Sequence, residues 1–184
     1  MKILAIQGSL RAGSYNRMAL HATREVLPAG VSMEMVEIKD IPLFDGDDFA
    51  KGFPPAVAAL REKVRAADGV WFGSPEYNFS VSGVLKNTID WVSRGADQPF
   101  NYKPIAIISA TMGPVGGARS QYEIRKIFVF LGGQVLQKPE VFIGVAQTKF
   151  DAAGKLTDEP TRKVLTDQML AFQDWITRVK RMAA

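Results

Sequence analysis

Residues 8–16 read Gly-Ser-Leu-Arg-Ala-Gly-Ser-Tyr-Asn and crowd several anion donors into one short stretch. Ser9 and Ser14 bring hydroxyls, Arg11 a guanidinium and Asn16 a carboxamide. Hydroxyl and amide donors can surround a phosphate monoester without burying excess charge. Arg11 adds a charge-assisted contact that can be bidentate. The stretch matches neither Gly-x-Gly-x-x-Gly nor Gly-x-x-x-x-Gly-Lys-Ser/Thr, so dinucleotide and triphosphate fingerprints are absent. The plainer alternative is a polar turn in which Ser14 or Asn16 caps a helix.

Two further stretches have similar character. In Ser74-Pro75-Glu76-Tyr77-Asn78-Phe79-Ser80, Pro75 sets its own φ and holds Ser74 extended. The N–H groups of Glu76, Tyr77 and Asn78 can then face the edge of a planar ring, with Tyr77 covering or flanking it. A β-turn whose aromatics pack on a sheet explains the same residues. In Ser109–Arg119, Gly113, Gly116 and Gly117 permit positive φ and close backbone approach. Donors there suit a ring edge on which negative charge develops; a flexible glycine turn is the alternative.

The elements that must position these stretches alternate. Apolar runs at Ile3–Ile6, Val31–Ile38, Gly69–Gly73 and Ile105–Ile108 predict strands, and Val135–Leu136 with Val141–Ile143 predicts a fifth, interrupted one. Helical spacing predicts helices over Asn16–Val26, from Pro54-Pro55 through Val64, over Val81–Trp91, Tyr122–Leu131 and Thr157–Lys180. Gly132-Gly133 closes the fourth of these. Residues 39–51 read as an ordered loop. Short apolar strands alternating with helices imply an α/β fold, a parallel sheet covered on both faces. Ligands of such sheets sit at the carboxyl ends of the strands, and all three stretches leave such ends. No linker or repeat interrupts the chain, so residues 1–184 are expected to form a single domain.

The chain has 184 residues, 47% of them apolar and 23% charged, which suits a domain burying roughly 70% of its unfolded surface. It has no cysteine, which excludes disulfides, a thiol nucleophile, iron–sulfur ligation and a cysteine zinc site. His21 is the one histidine, which excludes multi-histidine metal sites and reads as a surface residue. Asp45, Asp47 and Asp48 lack calcium-loop spacing and read as a solvated loop. Redox chemistry would therefore come from a bound organic cofactor. The donors of the second stretch suit N5, O4 and N3 of a flavin. Net charge is +4, spread without the dense cluster of a nucleic-acid arm, and a mild positive field suits small anions. No apolar run approaches the ~20 residues that span a bilayer, and the first strand is too short for a signal peptide. A cytoplasmic location is expected. Trp71 and Trp175 fall on core positions, whereas Trp91 reads as a candidate interface residue.

With these motifs in hand, the chain resembles the NADPH-dependent FMN reductase family of flavodoxin-like proteins, above all its bacterial quinone, chromate and ferric reductases. The resemblance rests on residues 8–16, on Ser-Pro-Glu-Tyr-Asn at 74–78 and on Gly83 through Trp91. It implies a flavodoxin-like doubly wound, five-stranded parallel sheet of order 2-1-3-4-5. It implies non-covalent FMN with its phosphate at Ser9, Arg11, Ser14 and Asn16. Ring contacts are implied from Pro75, Glu76, Tyr77 and Asn78, and from the loop of Ser109 and Gly113. Homodimers and often homotetramers are implied. Related chromate reductases form an Arg-Tyr-Glu network across the tetramer, which makes Arg119, Tyr122 and Glu140 interface candidates.

The implied reaction is ping-pong. NAD(P)H delivers hydride to FMN N5 and leaves, and an acceptor then takes the electrons at the same face. No catalytic side chain is required. Quinones are the expected acceptors, with ferric chelates, chromate or free flavin as alternatives. The competing reading is a flavodoxin-like electron carrier that docks to protein partners. Carriers of that type have a Thr-rich phosphate loop and an acidic surface, whereas this chain has Arg11 and a net positive charge. A flavin-binding sensor without turnover is a third reading. The choice between NADH and NADPH stays open, as does Arg94, which reads equally as a cofactor contact, an interface contact or a solvated arginine.

Overall fold

The computed structural model describes residues 1–182. In chain order the elements are β1 (Lys2–Gln7), α1 (Tyr15–Glu25), β2 (Ser32–Val36), α2 (Gly46–Phe49), α3 (Pro55–Ala66) and β3 (Gly69–Gly73). There follow β4 (Glu76–Tyr77), β5 (Ser80–Val81), α4 (Gly83–Val92), β6 (Pro104–Ala110), α5 (Ala118–Leu131), β7 (Gln134–Val135), β8 (Val141–Ile143) and α6 (Glu159–Met182).

The main sheet runs β2-β1-β3-β6-β7, with β8 also on β6 and every pairing parallel. This is the expected 2-1-3-4-5 order, with the fifth position filled by two short strands. β7 pairs with the start of β6 and β8 with its end. Pro139 lies between them and has no N–H to give to a ladder.

Strand pleating divides the core in two. Ile3, Ala5, Trp71, Ala106 and Ile108 face one side, where α1 and α6 bring Leu20, Met169, Phe172 and Ile176. Leu4, Ile6, Val70, Phe72 and Ile107 face the other, against Val64 of α3, Leu85 and Ile89 of α4, and Ile124 and Phe128 of α5. Because β1, β3 and β6 are covered on both faces, their sequences are continuous apolar runs rather than alternating ones.

Several boundaries differ from expectation. The helix expected from Val81 starts at Gly83, because Ser80–Val81 pairs antiparallel with Glu76–Tyr77 as a small hairpin. Its corner residues Asn78 and Phe79 have φ of 51° and 64°, the left-handed pair that a tight hairpin turn requires. Ser82 caps α4, its Oγ accepting from Leu85 N at 3.3 Å. Residues 39–51 contain α2, whose cap is Asp45, accepting from Asp47 N at 2.8 Å. The described residues hold no acidic or histidine group arranged for a metal.

Trp91 corrects an expectation. It is fully buried, its ring edge-on to Phe44 at 4.9 Å between centroids and its Nε1 donating to Pro42 O at 2.9 Å. The chain's own 39–51 segment covers it, so it is a core residue and not an interface one. Trp71 is buried as expected, and half-buried Trp175 donates to Gln134 O at 2.7 Å.

Candidate functional site

The three donor-rich stretches meet because β1, β3 and β6 are parallel neighbours that end at one edge. Hydrogen bonds stitch them together. Gly8 N donates to Gly73 O at 2.8 Å, Ser74 N to Ile108 O at 2.9 Å, and Ser82 Oγ to Gly8 O at 2.6 Å. A Cβ at Gly8 would lie 2.8 Å from both Gly73 O and Leu85 Cδ2, so only glycine lets the first turn approach the second this closely.

Between them lies a cleft of about 240 Å³. Ser9, Arg11, Ser14, Tyr15 and Asn16 line one end, Pro75, Glu76 and Tyr77 one wall, and Ala110, Thr111 and Met112 the other. A hollow of about 300 Å³ opens near Lys2, Ser32 and Lys63. It sits by the amino ends of β1 and β2, away from where open parallel sheets bind ligands.

The first end of the cleft suits an anion. Ser14 is the N-cap of α1, its Oγ accepting from Arg17 N at 3.4 Å, so its hydroxyl proton is free to donate. The first N–H groups of the helix, at Tyr15 and Asn16, have no intrahelical acceptor and point at the same place. Ser9 Oγ accepts from Arg11 N at 3.3 Å and lies 3.5 Å from Tyr77 Oη. Arg11 is exposed and carries no ion pair among the described residues. Arg17 is occupied elsewhere, donating from Nε to Gln7 Oε1 at 2.7 Å and pairing with Glu37. His21 is exposed on the outer side of α1, with its pKa lowered by burial first and then by Arg24 and Arg17.

Seven of the expected site residues, Ser9, Arg11, Ser14, Asn16, Pro75, Glu76 and Tyr77, line the cleft. Asn78 does not, because it forms the exposed corner of the hairpin. The Ser109 side chain does not either. β6 runs on to Ala110, so Ser109 is still in the ladder and its side chain faces α5. Its hydroxyl donates to Gly116 O at 2.6 Å and accepts from Gln121 Nε2 at 2.8 Å. Gly113 lies beyond the lining, its carbonyl accepting from Val145 N at 3.2 Å and Thr111 Oγ1 at 3.2 Å. The third stretch reaches the cleft through Ala110, Thr111 and Met112 instead. Strand parity separates Ala110 from Ser109, and Thr111 and Met112 lie past the end of β6, where the ladder no longer sets their direction.

Glu76 has a second partner set. Its carboxylate accepts from Arg119 N at 3.0 Å, Ser120 N at 3.3 Å and Arg119 Nη1 at 3.1 Å. It thereby caps α5, whose own N-cap, Gly117, has no side chain to do so. Arg119 also stacks 3.9 Å over the Phe79 ring. Arg119 is thus drawn toward Glu76 and away from the other interface candidates. Tyr122 Oη donates to Glu140 at 3.3 Å, and Arg125 is the cation that pairs with Glu140, at 3.4 Å. Arg94 stands outside the cleft, donating to Asp90 O at 2.8 Å and lying 5.1 Å over the Phe44 ring.

A parallel 2-1-3-4-5 sheet with a donor-rich first turn and a cleft at its carboxyl edge defines a flavodoxin-like protein. The chain belongs to the NADPH-dependent FMN reductase family, whose model matches residues 1–148. That family comprises oxidoreductases that use FMN and take electrons from NAD(P)H. An NAD(P)H-dependent FMN reductase of Pseudomonas aeruginosa is 49% identical over 180 residues, covering 98% of this chain and 97% of that protein. A quinone reductase of Escherichia coli is 46% identical over 183 residues, covering 98% and 97%. Among solved structures, the flavoenzyme NAD(P)H:(acceptor) oxidoreductase FerB of Paracoccus denitrificans superposes with a TM-score of 0.88 at 30% identity, covering 96% of this chain and 97% of that one.

Proposed function

We propose that residues 1–184 form one FMN-binding domain that oxidises NAD(P)H and reduces quinones. The observation that carries this is the convergence of three loops on one cleft, with Arg11, Ser9, Ser14 and the start of α1 free to hold a phosphate. Pro75 and Tyr77 would flank the ring. Main-chain N–H groups of Glu76 through Asn78 would meet its polar edge, together with those of Met112 and Gly113 in the third loop, since Ala110 N and Thr111 N are already bonded to Asn16 Oδ1 and Ile143 O. The chemistry supplied by FMN at such a site is two-electron transfer, with hydride in from NAD(P)H, departure of that donor, and electrons out to an acceptor at the same face. The protein's share is to orient the reactants and to place donors where charge develops, with no side-chain nucleophile.

Leu10, Tyr77, Phe79 and Met112 are exposed apolar residues on the three loops and suit a planar apolar acceptor such as a quinone. The name of the Escherichia coli relative supports the same class. Ferric chelates, chromate and free flavin stay as alternative acceptors. The reading includes a cytoplasmic homodimer or homotetramer. Among the described residues no helix is long and apolar enough to cross a membrane. Support for assembly is local: adjacent Val129 and Phe130 of α5 are 84% and 88% exposed.

Anaerobic stopped-flow mixing of the FMN-loaded protein with NADH or NADPH tests the reading. Flavin absorbance should bleach within seconds and return when a quinone is added. Persistent absorbance with both nicotinamides would sink it. Slow bleaching by nicotinamides but fast bleaching by a reductase protein would favour the electron carrier.

A further inference from the structure

We propose that the Asn16 side chain is a positioning residue that locks the first loop to the third, and is not a ligand of the phosphate. The proposal rests on the FMN reading above. Asn16 is 3% exposed. Its Nδ2 donates to Ala110 O at 3.0 Å, and its Oδ1 accepts from Ala110 N at 3.0 Å. This two-point pair reproduces the bonding of a neighbouring strand.

The topology explains why a side chain must do this. Ile108 bonds toward β3 through Ser74 N at 2.9 Å. Past that point the chain of β3 turns away at Pro75. By the two-residue period of the strand, the N–H and C=O of Ala110 face the same side as those of Ile108, with no strand left to meet them. Ala110 is buried, so both groups need partners. The Asn16 carboxamide supplies one donor and one acceptor in the required order. Aspartate lacks the donor, and serine or threonine spans one point only.

If the side chain turned to the phosphate, two buried backbone groups would lose their partners. That loss outweighs one more hydrogen bond to an anion already met by Arg11 and Ser14. The main-chain N–H of Asn16, in the first turn of α1, stays available to the anion. Asn16 therefore couples the phosphate end of the cleft to the Ala110–Met112 wall. Its removal should disturb binding at both ends.

The test compares FMN with riboflavin, which lacks the phosphate, on the flavin-free full chain and on Asn16→Ala and Asn16→Ser. Fluorescence titration should show both variants weakening both ligands by a similar factor, about tenfold. A loss confined to FMN, recovery of FMN affinity in Asn16→Ser, or no loss at all would overturn the proposal. Hydrogen exchange at the Ala110 amide gives a readout without flavin: slow in the unaltered chain, much faster in Asn16→Ser, with Ile105–Ile107 unchanged. Equal rates overturn it. Should the variants fail to fold, inorganic phosphate is titrated into the unaltered protein and followed by NMR. The Tyr15 and Asn16 main-chain amides should move while the Asn16 side-chain amide holds its position. A matching shift of that side-chain amide refutes the clamp. If the unaltered protein binds neither flavin, the FMN reading fails while the exchange experiment still decides the clamp.

Discussion

Arg11 and Arg17 flank the same turn, and only one of them is available to an anion. Arg17 bridges Gln7 and Glu37, whereas Arg11 is exposed with nothing to neutralise it among the described residues. Hydrogen bonds to charged groups contribute about 1.5–3 kcal/mol, so Arg11→Ala should weaken FMN by at least about tenfold. Riboflavin affinity and thermal stability should not change, because Arg11 supports no part of the fold. Paired fluorescence titrations and a thermal melt check this, and an unaltered FMN Kd would count against the phosphate assignment. At this scale the hydroxyls of Ser9 and Ser14 were legible in the sequence. For Asn16 and Ser109 residue type reveals a polar side chain but not its direction: the Asn16 carboxamide pairs with Ala110, and the Ser109 hydroxyl bonds Gly116 O and Gln121. Both point where the end of β3 or β6 leaves backbone or loop groups to be satisfied.

Helix α5 shows what an element needs from a distant segment. Gly117 enters it with φ of 85° and no capping side chain, so the orphan N–H groups of Arg119 and Ser120 depend on Glu76. Expectation started this helix at Tyr122, because nothing nearby in sequence announces the cap. Glu76→Ala removes the cap and should cost about 1–2 kcal/mol. For a chain of this size that lowers Tm by roughly 2–8 °C, read on the flavin-free protein by calorimetry. An unchanged Tm would show that water replaces the carboxylate without loss. The Glu76–Val81 hairpin was equally hidden. Two residues per strand are too few for an alternating pattern to register.

At the scale of the whole molecule, a two-faced sheet leaves the outer surface of α5 with Val129 and Phe130 side by side in water. In the proposed assembly these exposed apolar neighbours are the candidate association surface. Phe130→Glu should therefore shift the protein to a lower mass by light scattering at micromolar concentration. The same mass as the unaltered chain would show that this pair carries no association. Trp91, by contrast, offers nothing to a partner, because residues 39–51 fold over it. Only the packed chain distinguishes these cases, since both residues are large, apolar and on helices.

Hydrophobic periodicity by itself determined the parallel α/β sheet, and residue types with their spacing determined that its first turn would be rich in anion donors. Both are local properties: buried strands need apolar runs, and anions need donors close together. Tertiary structure alone decided which donors face the cleft. That depends on where each strand stops relative to its neighbours, and on which buried groups are then left to be paired. Thus Ala110 claims the Asn16 carboxamide, α5 claims the Glu76 carboxylate, and Arg11 is left exposed with no ion pair among the described residues.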